Sequence, residues 1–569
     1  NSSNDKTHRG TGGLIGVVYD GGSAKLQSCL NTGTIDVRSY TINQNKTGNP
    51  NVAPIAGGLV GWVKTKDSTI SIQDSLNTGK VLVNAKATNG YGSIIGLSDS
   101  AAKISHTYAS TESSANTVKG SMDGWALAFE TAKLTGHEGY VWTTLNFDKY
   151  WAVAEKGTPV LKSFAGKGVS TNGVARMVDT SWYDESKDTY TLNDVADLYG
   201  LAYLANGTDF AKKTILLGAD IAVNNGNAAD WANAAPANVW MSISPKNKPF
   251  AGTFDGQMHT ISGIYVNTDV ANSGLFCATG ETSVIKNLKL TNSYITSTST
   301  DVGSIAGQGR GTFDTVYSDA IVVASHARVG GFIGMAYGTD VVMKNCWFAG
   351  NVTNTSNDKG QRGTGGLIGV VYDGGSAKLE GCLNTGIVDV SAYTFDQNAD
   401  PKKTNIAPIA GGLVGYIKTG QSKIAIDNCL NTGTVKVSAI ATGAYGAIIG
   451  LTENKAETAV ATTYTTFAPV SGSSVTGKIV QVSVDELVGY NSYQRTRLDF
   501  DKYWTVVIDD ATTADIDEKG APILKSFASV VPDLSKVELL MDFSWIDADG
   551  TDKDPYIISD MKDLNGLAA

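Results

Sequence analysis

The sequence predicts an all-β protein whose strands wind into stacked coils of a parallel β-helix, repeated in tandem. Three observations carry the prediction. The chain of 569 residues repeats long stretches of itself, and a short Gly-framed phrase recurs nine times within those stretches. The composition is turn-rich and charge-poor, with 64 Gly and only 18% charged residues. Abundant Gly, Thr, Ser and Asn suit pleated strands joined by tight turns, whereas a helical bundle needs far more Glu, Lys, Leu and Ala.

The long repeat sets the organisation, because self-similarity at a fixed period is the mark of repeat architectures. RGTGGLIGVVYDGGSAKLQSCLNTG starts at Arg9 and RGTGGLIGVVYDGGSAKLEGCLNTG at Arg362, so the offset is 362 − 9 = 353. FDKYW at Phe147 returns at Phe500 with the same offset, 500 − 147 = 353. LKSFA at Leu161 returns at Leu524, and the larger offset, 524 − 161 = 363, is absorbed by a longer turn in IDDATTADIDEKG. SWYDES at Ser181 pairs with SWIDAD at Ser544. These landmarks give the C-terminal part of a first unit over 1–165, a linker over 166–179, and a complete second unit over 180–528. A second linker follows over 529–537, and a third unit starts over 538–569. Both ends fall inside units, and no initiator Met, signal peptide or lipidation box is present, so Asn1 is not expected to be the natural start.

The Gly phrase reads TGGLIGVV at Thr11, AGGLVGWV at Ala56 and YGSIIGLS at Tyr91. In the second unit it reads SGLFCATG at Ser273, VGSIAGQG at Val302, VGGFIGMA at Val329, TGGLIGVV at Thr364, AGGLVGYI at Ala410 and YGAIIGLT at Tyr445. Spacings run from 329 − 302 = 27 to 410 − 364 = 46 residues, the length of one coil in a solenoid. Each phrase leads into an alternating strand and a turn, as in KIAIDNCLNTG followed by TVKVSA from Lys423. Alternation turns Ile424, Ile426, Cys429, Val435 and Val437 inward and leaves Lys and Asp to solvent. The Gly pairs are expected to provide positive φ at a corner and close approach between coils. One coil alone cannot satisfy its strand edges, but a neighbour ~4.8 Å away pairs the backbone along the whole perimeter.

Four of the five Cys occupy one phrase, at Cys29, Cys346, Cys382 and Cys429, and Ser75 fills the same place in DSLNTG. A site that accepts Ser wants a small side chain rather than a covalent partner, so the thiols are read as buried, free and stacked. The best helix candidate is TLNDVADLYGLAYLANG from Thr191, with Asn193 as N-cap, Leu198, Leu201 and Ala202 inward, and a role shielding the N-terminal edge of the second unit. Tyr150, Trp151, Tyr503 and Trp504 of the FDKYW segments are read as a plug over the last coil, and Trp182, Trp231, Trp240 and Trp545 as covers for the opposite end.

GGLIG at Gly12 and Gly365 and GGLVG at Gly57 and Gly411 resemble the GLUG-motif repeats of bacterial surface proteins. PFAGTFDGQMHTISGIYV from Pro249 is similar to the lead-in of that family, and GLFCATGETSVIKNLKL from Gly274 to its first coil. The likeness extends over essentially the whole chain. It implies a right-handed β-helix with short capping helices and strands, in an adhesin or other cell-surface protein. Some members are attached to secreted zinc peptidases, but the nearest match to their motif, His137-Glu138-Gly139-Tyr140-Val141, lacks the second His.

Charge and chemistry narrow the function further. A net charge of −10 and a pI near 5.1 repel phosphate backbones and argue against nucleic-acid binding. No apolar run reaches the ~18 residues of a membrane span. His8, His106 and His137 correspond to Gln361, Thr462 and about Tyr490 in the other copy, so no imidazole is shared between copies. His259 and His326 complete the five. Acids such as Asp36 and Asp389 are scattered, which denies glycosidase chemistry its two facing carboxylates. Asp547, Asp549, Asp552 and Asp554 around Gly550 form a weak Ca²⁺ candidate that lacks the twelfth-position Glu of an EF-hand. The expectation is therefore a non-enzymatic stalk, fibre or filament segment outside the cell, without a cofactor. Its partners are neighbouring repeats and other copies, and the alternative is an adhesin module gripping a glycan or host protein.

Overall fold

The computed structural model describes residues 10–568 apart from 40–53, 84–89, 114–116, 155, 166–168, 172–173, 175, 326–327, 357–362, 373, 393–407, 439–444, 454–455, 468–474, 508–519, 530, 536, 538 and 541–555. The chain divides into two compact units, one of Asn1–Ser181 with Ala196–Thr208, the other of Trp182–Val195 with Asp209–Ala569. Both are mostly β, and their strands pair in parallel with few exceptions.

Within each unit the Gly phrases lie over one another in register. Thr11 pairs with Ala56 and Ala56 with Tyr91 in the first unit. In the second, Val302 pairs with Val329, Val329 with Thr364, Thr364 with Ala410 and Ala410 with Tyr445. Ser273 bridges to Val302 in the same sense. The alternating strands stack likewise: Ser376–Glu380 pairs residue for residue with Lys423–Asp427, which pairs with the first part of Glu457–Thr465. A third column runs from Tyr265–Thr268 to Thr434–Val437 as a six-stranded parallel sheet. Each layer thus hands its unpaired backbone groups to the next.

The core follows the alternation. Ile424, Ile426, Cys429 and Val435 are buried, while Val437 is half-buried at the end of its strand. Leu59, Val60, Val63, Ile72, Ile94, Ile95 and Ile104 form the corresponding cluster of the first unit. Burying a Val, Leu or Ile is worth roughly 1.5–3 kcal/mol, so stacking layer on layer accumulates the driving force.

The Gly pairs act by close approach alone; the expected positive φ is not used at them. A Cβ on Gly58 would stand 1.9 Å from the Ser93 carbonyl oxygen, and one on Gly412 would stand 1.9 Å from that of Ala447. Beside the second Gly of four phrases, Gly13, Gly58, Gly366 and Gly412, lies an Asn of the LNTG turn. Asn31 Nδ2 donates to Asn77 Oδ1 at 2.8 Å, and Asn384 Nδ2 to Asn431 Oδ1 at 2.7 Å. Asn77, Asn384 and Asn431 are fully buried, so these amides form an internal ladder that needs the room glycine leaves.

All five Cys are free, and Cys346, Cys382 and Cys429 are buried at successive layers. The Cys382 backbone N–H donates to Cys429 Sγ at 3.4 Å. Cys29, expected to be buried with them, is half-exposed, and its N–H donates to the Ser75 hydroxyl at 3.1 Å.

Three other expectations are corrected. The helix spans Val195–Leu204, so Asn193 stands two residues ahead of it rather than at its cap. Leu198, Leu201 and Ala202 are buried as expected, but within the first unit, where Tyr199 meets Trp142 edge-on at 5.2 Å. The FDKYW segments are not end plugs. They run as straps along a flank, crossing successive layers. In the second unit the Arg497 N–H donates to the Tyr464 hydroxyl at 2.8 Å, and Trp504 Nε1 to the Asn428 carbonyl at 3.2 Å. Further along, Lys502 and Tyr503 bond Glu380, Ser526 bonds Asn345, and the Phe527 ring meets Trp347 at 6.1 Å. The strap covers Leu383 and Leu430, the outward Leu residues of two LNTG turns. In the first unit Trp151 Nε1 donates to Asp74 Oδ2 at 3.1 Å in the same manner. Trp231 likewise lies on a flank, edge-on to Tyr265 at 6.1 Å, and Trp240 Nε1 donates to the Leu275 carbonyl at 3.1 Å. Trp182 packs on Tyr190 at 5.5 Å, and Trp545 lies outside the described residues.

Two substitutions test this core. Gly412→Ala is expected to lower the melting temperature sharply, because neither the Ala447 carbonyl nor the Asn431 amide can retreat from a Cβ. Asn384→Ala, which leaves the buried Asn431 Oδ1 without its donor, is expected to cost about 1–3 kcal/mol in thermal or denaturant melts.

Candidate functional site

The titratable groups singled out by sequence are not gathered into one place. His106 is held between hydroxyls, its Nδ1 at 2.8 Å from Thr144 Oγ1 and 2.9 Å from the Tyr203 hydroxyl. Burial lowers its pKa and keeps the ring neutral. His137 opens the short helix His137–Trp142 and places Nε2 at 2.9 Å from the Ser170 carbonyl. Its neighbour Glu138 accepts from Trp142 Nε1 at 2.7 Å, a structural task rather than that of a general base. His259 pairs with Asp220 at 3.2 Å on an exposed turn, where the Thr260 N–H and the imidazole hold the Asp220 carboxyl below its ordinary range. His8 and His326 lie outside the described residues, as do Asp547, Asp549, Asp552 and Asp554 of the calcium candidate. Among the described residues, no group of three or more His, Cys, Asp or Glu could hold a metal ion.

Several carboxylates on the strands are paired with cations. Lys423 and Glu457, opposed on neighbouring strands, meet at 2.9 Å, and Lys378 reaches Glu380 at 3.3 Å. Asp255 pairs with Lys286 at 3.2 Å. One buried ion pair, Asp301–Arg328, is closed by Gln308 Nε2, which donates to Asp301 Oδ2 at 3.0 Å. Burial there pushes the Asp301 carboxyl up against the pull of Arg328.

A shallow groove of about 630 Å³ lies across the outer face of the strands Ile333–Lys344, Ser376–Glu380, Lys423–Asp427 and Glu457–Thr465. Register places Val342, Lys378, Ala425 and Ala459 in one row across it, and Ser376, Lys423 and Glu457 in a second. Small side chains flanked by paired charges offer an extended ligand polar edges and little apolar depth. The straps offer no exposed aromatic platform on which a sugar could stack. Trp151 and Trp504 are fully buried, Tyr503 is buried, and Tyr150 is half-buried. Sequence reasoning missed the straps because it took large side chains near a unit's end for end covers. The signal lay in the acceptors they use, Asp74 and Asn428, which occupy one place in their two turn phrases.

No protein-family model matches the chain. Halomucin of Haloquadratum walsbyi is 29% identical over 146 residues, which make up 26% of this chain and 2% of that protein. The chain therefore spans a very small part of that relative's length. A crystal structure from Bacteroides ovatus, of a protein provisionally assigned as an immunoglobulin A1 protease, aligns with 60% of this chain and 94% of its own. That overlay has 18% identity and a TM-score of 0.39, too loose to carry an argument about fold or activity.

The strap gives a pH test. The Tyr503 hydroxyl first, and then the Lys502 ammonium, lower the Glu380 pKa from 4.5 to about 2. A carboxyl lowered on folding stabilises fully above its ordinary pKa and loses that contribution as pH falls through the folded value. Melting temperature is therefore expected to drop between about pH 4.5 and 2 in part through Glu380. Glu380→Gln should melt lower at neutral pH and show a shallower drop in that window, checked by scanning calorimetry across the pH series.

Proposed function

We propose that this chain is a structural repeat segment of a large bacterial surface protein, in which tandem right-handed parallel β-helices of the GLUG type form a stalk, fibre or adhesin filament without catalysis. The observation that carries this reading is the in-register pile of Gly phrases, from Val302 to Tyr445 in one unit and from Thr11 to Tyr91 in the other. A spacer requires repeated burial and no site, and near-identical copies are what elongation by duplication leaves. The pairing of Lys378 with Glu380 and of Lys423 with Glu457 supports the same view, since these outward charges already have partners. The stretch of likeness to Halomucin, whose name marks it as a mucin, favours a place outside the cell.

A second reading is favoured by the groove across Lys378, Ala425 and Ala459: an adhesin module that grips a glycan or a host protein along an outer face. The two readings separate in one experiment. Glycan and extracellular-matrix protein arrays probed with the chain should stay at background for a pure spacer. Saturable binding that is lost in Lys378→Ala and Lys423→Ala variants would replace the spacer with the adhesin.

A further inference from the structure

The two repeats match so closely that positions which change together between them are informative. The last layer of the first unit is covered by the helix Val195–Leu204, whose residues from Ala196 onward belong to that unit. Tyr203 stands edge-on to Trp125 with ring centroids 4.1 Å apart, and Tyr199 edge-on to Trp142 at 5.2 Å. The Tyr203 hydroxyl meets His106 Nδ1 at 2.9 Å and the Thr144 hydroxyl, while Tyr108 accepts the Thr144 N–H at 2.9 Å. Tyr108, Tyr199 and Tyr203 are almost wholly buried.

The second unit reproduces the frame of this socket. The Arg497 N–H donates to the Tyr464 hydroxyl as that of Thr144 does to Tyr108. A Cβ on Gly477, at φ 104, would strike the Val460 carbonyl as one on Gly124, at φ 95, would strike that of Ile104. Both anchors give one offset, 497 − 144 = 353 and 477 − 124 = 353, which sets Lys478 in the place of Trp125 and Arg495 in that of Trp142. The helix pattern returns in Met561–Ala568, where 566 − 200 = 366 aligns the Gly of LNGLA with that of LYGLA. Asn565 then takes the place of Tyr199, and Ala569 that of Tyr203. Two aromatic positions on the socket have become charged, and the Tyr199 position on the helix has become Asn. A cavity of about 530 Å³ lies beside Tyr464, lined by Lys478, Glu486 and Arg495 and by Asn565 of the helix.

We propose that the last layer of each unit is a selective socket for a helix of matched chemistry, aromatic on aromatic in the first unit and amide on charged groups in the second. The occupant of the second socket is the chain's own helix Met561–Ala568. An Asn- and Ala-faced helix on the first socket leaves a void against Trp125 and strips His106 of a hydroxyl partner. A helix bearing Tyr in place of Asn565 loses the bond that the Asn565 amide donates to the Leu540 carbonyl at 3.1 Å, and meets exposed Lys478 and Arg495 where the first socket offers Trp rings. Each socket therefore takes its own helix and rejects the other's, and matching is written in four residues that bear no part in the strands' core.

The test is a swap in the full chain, followed by tryptophan fluorescence and amide hydrogen exchange. Tyr199→Asn with Tyr203→Ala transplants the second helix face, and Trp125→Lys with Trp142→Arg transplants the second socket. Either swap alone should lower the melting temperature of the first unit by several degrees, and all four changes together should recover at least half of the larger loss. A fourfold variant whose loss equals the sum of the two swaps overturns the proposal. Should the swaps prevent folding, the second unit decides. Asn565→Tyr alone should speed exchange of the Met561–Ala568 amides. With Lys478→Trp and Arg495→Trp added, it should slow that exchange about tenfold. Equal exchange in these two variants overturns the proposal as well.

Discussion

Everything in this molecule depends on equivalent strands from successive repeats approaching closely enough to pair in parallel. That approach is a steric condition before it is an energetic one. Where the Gly phrase crosses beneath its neighbour, the gap left to a side chain is under the length of any contact a Cβ can make. Glycine at that crossing allows the backbones to meet, and the buried Asn of the LNTG turn then fills the space beside it and bonds the Asn of the next layer. Core apolar residues gain their burial only after this condition is met, which is why the phrase recurs with so little change while strands around it vary.

A layer stacked in this way is complete along its edges but thin at its flanks. The outward Leu of each LNTG turn would stand in water, and the straps cover it. They bind through backbone N–H groups, indole N–H groups and one clustered carboxylate, so their hold is polar where the core's is apolar.

The all-β class, the parallel pairing and the register of the nine Gly phrases were legible because they rest on period and spacing. Inward positions such as Ile424, Ile426 and Cys429 were legible for the same reason, since alternation in a strand leaves one choice of face. Roles that rest on contacts between distant residues were not. Trp504 reads as a large apolar residue near a unit's end, and nothing local shows that its indole reaches Asn428, 76 residues earlier. The Gly pairs were assigned both positive φ and close approach, of which only the second operates, because a sequence shows which residue lacks a Cβ but not what that Cβ would strike. The helix Val195–Leu204 was legible as a helix, yet its packing surface was set by aromatic partners at Trp125 and Trp142 that no spacing connects to it.

The strap of the second unit also orders events in time. Ser526 bonds Asn345 across 181 positions of sequence, so every residue of the layers between them leaves the ribosome before the end of the strap does. Layers can add one at a time as the chain emerges, each templated by the exposed edge of the last. Fastening along the flank waits until the end of the unit arrives. Assembly of such a chain is then vectorial, with a ratchet of growing edges followed by a single late latch, and a chain halted before Phe500 would be stacked but unlatched.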